Sequence, residues 1–174
     1  MTRRWWLFGA AALAGCVRYP EPYRPPMQRR PVEIGGADKL SHFIAMNAPG
    51  AERHIVEGVL GLNDGTWRWC LRRAVFQFSL PDNKHKRLLA EVTVPELTFQ
   101  QTGPVKITVS VGANILDTLH FPRHEQRTFE KPVPPEWITP GAPILVSLEI
   151  DKLWRSPDDG AERGFILTRL GFIE

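Results

Sequence analysis

The sequence predicts an all-β fold for residues 51–174, an antiparallel β-sandwich of jelly-roll type. Three observations carry that expectation. Short runs rich in β-branched and aromatic residues recur from Ile55 onward, separated by Gly, Pro, Asn and Asp clusters. Several of these runs alternate strictly between apolar and polar residues, as strands with one buried face do. No crossover helix is visible between them, so the strands should pair antiparallel and pack as two sheets face to face.

In chain order the candidate strands are 55–62, 66–71, 74–80, 88–94, 105–111, 115–120, 127–131, 144–150 and 164–172. Val105-Lys106-Ile107-Thr108-Val109-Ser110-Val111 is the clearest alternation. Gly112-Ala113-Asn114 then turns the chain into 115–120, which makes this pair a hairpin. Ile144 to Ile150 alternates in the same way, and Ala74, Phe76, Phe78 and Leu80 share one side of their strand. Upstream, Leu40, Phe43 and Ile44 follow Asp38 at helical spacing and stop at Asn47-Ala48-Pro49-Gly50, which predicts a short helix over 38–46.

The N-terminus has a different character. Met1-Thr2-Arg3-Arg4 opens an apolar run, Trp5 to Ala12, that closes on Leu13-Ala14-Gly15-Cys16. Charge, apolar run and small residues in that order make a secretory signal, too short to span a bilayer. The closing four residues resemble the lipobox of bacterial lipoproteins. That resemblance implies cleavage before Cys16, acylation of Cys16 and attachment to a lipid bilayer. Val17 stands where aspartate would favour inner-membrane retention in such families, which implies an outer-membrane location facing the periplasm. The expected organisation is a signal peptide at 1–15, a lipidated tether at 16–50 and the sandwich at 51–174. In the tether, prolines at 20, 22, 25, 26 and 31 and arginines at 18, 24, 29 and 30 predict an extended spacer. At about 3 Å per residue, 15 such residues reach roughly 40 Å.

Composition removes other classes. The chain carries 22 Lys/Arg against 19 Asp/Glu, and two of the arginines belong to the signal. A nearly neutral mature chain has no electrostatic footprint for nucleic acid. With Cys16 assigned to lipid, Cys70 has no partner and is expected as a small core residue. There is no nucleophile elbow, no phosphate-cradling glycine loop and no HExxH, so no enzyme is predicted and no cofactor is implied.

Three segments carry a further resemblance. They are Gly61 to Trp69 with Arg73 to Phe78, then Val105 to Leu119 with Lys131-Pro132-Val133-Pro134, then Ser147 to Asp151 with Arg163 to Gly171. Their order is similar to that of carbohydrate-binding-like β-sandwiches appended to bacterial glycosyltransferases, over roughly residues 55–173. Arg68-Trp69 matches the Arg-Trp pair of those domains. Arg163-Gly164 lacks the intervening positions of their Arg-x-Leu-Gly element. The resemblance implies a fold of carbohydrate-binding-module type and an association with glycans.

The aromatic residues supply the site candidates. Trp67 and Trp69 are two apart, so on a strand their rings share a side, as a coplanar sugar-stacking platform or as plugs between sheets. Trp69 leads into Cys70-Leu71 and is expected in the core; Trp67 beside Asp64-Gly65 suits either place. Arg68 points the opposite way, to cap a carboxylate or contact a ligand, and a surface ion pair is the favoured fate. Trp154 and Arg155 sit in an expected loop and are the leading surface candidates for ligand binding. Asp158, Asp159 and Glu162 lack the alternating oxygens of a calcium loop, and Pro122 separates His120 from His124 and Glu125, so no metal site is predicted. The function expected is a membrane-anchored, non-catalytic glycan binder, with polysaccharide as partner. An adaptor that docks an envelope protein through a sandwich edge or loop patch is the second reading. A glycan hydrolase whose paired carboxylates come from separate strands is the third.

Overall fold

The computed structural model describes residues 40–174. The signal, Cys16 and the Pro/Arg stretch of the tether lie outside the described residues. The strands are β1 (Phe43–Ala45), β2 (Ile55–Asn63), β3 (Trp67–Ser79), β4 (Arg87–Val94), β5 (Val105–Val111), β6 (Asn114–Phe121) and β7 (Glu125–Pro132). They continue with β8 (Pro143–Ile150), β9 (Trp154–Arg155), β10 (Glu162–Arg163) and β11 (Phe165–Ile173). One short helix, α1 (Glu96–Thr102), lies between β4 and β5.

The expected antiparallel sandwich is what forms. Strands β6-β5-β8-β3 run in that order in one layer, and β3-β11-β4-β7 continue into the other. Strand β3 joins the layers because it changes partner along its length. Arg68 to Cys70 pair with β11, whereas Arg73 to Ser79 pair with β8. The sequence reading divided this run into two strands at Arg72-Arg73; the structure shows one strand of 13 residues. Both arginines are exposed where the partners change, and Arg72 donates to the Asp151 carbonyl at 3.1 Å.

Inward residues of both layers form a single core. Val105, Ile107, Val109 and Val111 of β5, Leu148 and Ile150 of β8, and Leu88, Ala90 and Val92 of β4 are all buried in it, beside Phe76, Phe78, Phe165 and Phe172. Cys70 is buried here too, as expected. Burial pushes its thiol up in pKa and leaves it chemically inert.

Two expectations fail on local grounds. Residues 43–45 form a strand rather than a helix, and the sandwich begins before residue 51. Three apolar residues are too few to sustain a helix, whereas Phe43, Ile44 and Ala45 gain a ready edge along Gly171, Leu170 and Arg169 of β11. Gly171 permits that contact, since a Cβ there would stand 2.4 Å from the Phe43 Cα. The connection from β4 to β5 contains α1, which the sequence reading omitted. Pro95 precedes the helix, and the Gly103 N–H closes it on the Phe99 carbonyl at 2.8 Å. At 7 residues it is too short to register as a periodic pattern.

Candidate functional site

The site grows out of the alternation in β3. Arg68, Cys70, Ala74, Phe76 and Phe78 are buried on one face of the strand, so Trp67 and Trp69 must stand on the other. Both rings are half-buried. Trp69 therefore lies outside the core position expected for it, and the two tryptophans are not coplanar. Their centroids are 5.7 Å apart and their planes cross at 83°, edge to face.

Trp69 instead stacks on Trp154, with centroids 5.8 Å apart and planes at 27°. Trp154 lies in a two-stranded ribbon, not a loop, in which Arg163 pairs with Trp154 and Glu162 with Arg155. Its side chain is only 7% exposed, and the Arg163 guanidinium lies 5.6 Å over its ring. Trp154 is thus an inner wall rather than an exposed platform.

The ribbon is held rigid by polar contacts. Arg163 donates from both terminal nitrogens to Asp159, at 3.0 and 2.6 Å. This guanidinium, with the Ala161 N–H, holds the Asp159 carboxyl well below the usual carboxylate range. Ser156 N–H donates to the Ala161 carbonyl at 3.0 Å, and Arg155 Nε to the Gly160 carbonyl at 3.1 Å. Arg155 is exposed, but it closes the hairpin and does not line the cleft.

Between this ribbon and the end of β2 runs an open cleft of about 360 Å³. Leu60 to Asn63 form one wall, and Trp69 and Trp154 form the aromatic surface. Ser156, Asp158, Asp159 and Arg163 supply polar groups. Such a cleft combines a flat apolar surface with a few oriented hydrogen-bonding groups, the usual make-up of a small-ligand site.

Arg68 makes the expected ion pair, but from inside the fold. It is 5% exposed and donates to the carbonyls of Met46 (3.0 Å) and Leu60 (3.3 Å) and to Glu52 Oε1 (2.6 Å). Those contacts tie the N-terminal segment to β2 and pair a buried Arg68 with the exposed Glu52 rather than with a ligand. Trp67 lies beside Trp69 rather than among the residues lining the cleft. Of the four ligand candidates, the cleft therefore uses Trp154 alone. Sequence reading missed Trp69, Asn63 and Arg163 as cleft residues. The signal for Trp69 was present: counting the alternation unbroken through Arg72 and Arg73 puts it opposite Phe76 and Phe78.

No protein-family model matches the chain, and no curated protein matches it. Among solved structures it is similar to a family GH115 4-O-methyl-α-glucuronidase with specificity for decorated arabinogalactans. The TM-score is 0.48 at 12% identity, over 78% of this chain and 18% of that one. It is also similar to a family 35 carbohydrate-binding module from Clostridium thermocellum (TM-score 0.44, 10% identity, 71% of this chain and 94% of that one). A CBM36 module solved with calcium and xylotriose gives a TM-score of 0.40 at 9% identity, over 75% of this chain and 98% of that one.

Proposed function

We propose that this protein is a non-catalytic glycan-binding module, carried on a membrane through acylated Cys16 and facing the periplasm from the outer membrane. The observation that carries the binding role is the cleft itself. A pyranose ring presents C–H groups to an aromatic face and hydroxyls at its rim. Trp69 backed by Trp154 offers the face, and Asn63, Asp158 and Arg163 offer rim partners.

Two features weigh against the other readings. A glycosidase needs one carboxyl of raised pKa to donate a proton. In this cleft Arg163 keeps Asp159 ionised, so this aspartate does not supply that acid. An adaptor working through strand addition needs a bare edge. The β6 edge is bridged by β7 side chains, with Arg127 donating to the His120 carbonyl at 3.1 Å and Lys131 to Asp117 at 2.8 Å. Charges along β7 itself discourage pairing on the opposite side.

Affinity electrophoresis through gels containing bacterial polysaccharides tests the reading. One polymer should retard the protein, and Trp69→Ala should weaken that retardation at least tenfold while the variant still melts cooperatively, at a temperature lowered by the lost aromatic contacts. Equal retardation of wild type and Trp69→Ala would move the site elsewhere; uniform mobility across the panel would remove the glycan role.

A further inference from the structure

We infer that the cleft selects glycans by charge, taking sugars that are neutral or carry a free amine and rejecting sugars that carry an acid group. This rests on the glycan-binding reading above and concerns the same cleft. Three charged side chains line it, Asp158, Asp159 and Arg163. The single cation is already neutralised, although its remaining N–H groups can still meet a sugar hydroxyl. Both Arg163 terminal nitrogens are engaged by Asp159 in a bidentate pair, and its face lies over Trp154. Asp158 has no such partner: it is exposed and makes no ion pair among the described residues. The lining therefore holds two carboxylates against one committed guanidinium, with one negative charge uncompensated.

The surroundings do not reverse that sign. Arg155, the neighbouring cation on the ribbon, donates to the Gly160 carbonyl and stands opposite Glu162 in register. Asn63 and Ser156 are uncharged, and Leu60 to Leu62 are apolar or backbone. A uronate or sulfate entering this cleft would meet Asp158 with no unpaired cation in the lining to compensate, while an ammonium would gain Asp158 as a partner. At a solvent-exposed site each such contact changes affinity by about threefold to fivefold.

The test uses the full chain on an array of bacterial glycans sorted into neutral, amine-bearing and acidic classes, read at about pH 6, where aspartates and sugar amines are both charged. Binding should concentrate in the neutral and amine-bearing classes. Asp158→Lys reverses the free charge without touching the Asp159–Arg163 pair, and should lower affinity for amine-bearing glycans and raise it for acidic ones by several-fold each. Asp158→Asn should fall between, and raised salt should compress all three differences. Binding of acidic glycans by wild type at least as tight as of neutral ones, or no change in Asp158→Lys, would overturn the charge selection and leave the glycan role intact. An array on which nothing binds would overturn the glycan role itself.

Discussion

His54 shows how one side chain can tie a segment to a sheet. It is 5% exposed, packs on the Phe78 ring at 5.2 Å, and has both ring nitrogens engaged. The Gln77 carbonyl, 2.8 Å from Nδ1, can only accept, so Nδ1 carries the proton. That leaves Nε2 to accept the Ser41 N–H at 3.3 Å. Burial lowers the pKa of His54 from its ordinary 6.5, opposed only in part by the Gln77 contact. Below about pH 6.5 the unfolded chain binds a proton at this position that the folded chain refuses, so stability falls as pH drops through that value. Thermal melts between about pH 7.5 and pH 5 should show this decline, at no more than about 1.4 kcal/mol per pH unit. His54→Gln should flatten it. An equal slope in the variant would assign the decline to other groups. Arg68 works at the same scale: a surface position cannot explain three donated bonds to Met46, Leu60 and Glu52, but a structural anchor can.

Strand β2 sets the cleft wall, and its irregularity has a local cause. Its pairing with β3 shifts register between Ile55 and Glu57, again before Val59, and again before Leu62. At Gly58 the backbone takes φ +74°, and a Cβ would lie 1.7 Å from the Arg73 carbonyl oxygen. Any side chain there must drive β2 off β3 as well as adopt a left-handed conformation. Gly58→Ala should therefore cost about 2–4 kcal/mol, read as a lower urea midpoint with an unchanged m-value. A cost below about 0.5 kcal/mol would mean that the bulge relaxes freely. Legibility in sequence varies by element for related reasons. Strands β4, β5 and β8 have one face in the core and one in solvent, so alternation alone reveals them. Strand β1 and helix α1 are 3 and 7 residues long, too short for any period to emerge. Their placement depends on the strand edge and the helix-ending glycine available to them.

For the whole molecule, the delivery and the recognition proposed above draw on separate stretches of sequence. The proposed membrane anchor rests on Met1 to Cys16, and the proposed glycan cleft on Leu60 and residues beyond it. Replacing Cys16 with alanine should move the protein from the membrane pellet to the soluble fraction and abolish palmitate labelling, with glycan retardation unchanged. Continued membrane association of Cys16→Ala would show that another feature holds it there. The sequence by itself determined the fold class, because period-two alternation reports directly on which side of a strand meets the core. It also determined that Trp67 and Trp69 share a face with Arg68 opposite, a consequence of backbone geometry within one strand. Only the tertiary structure showed that the alternation runs unbroken through Arg72 and Arg73, and so that Trp69 opens onto a cleft and Arg68 turns inward. It alone brought Trp69 beside Trp154, because residues 85 positions apart meet only when β11 and the β9–β10 ribbon dock against the start of β3. Alternation encodes the two sides of a strand; what covers each side is set by elements distant in sequence.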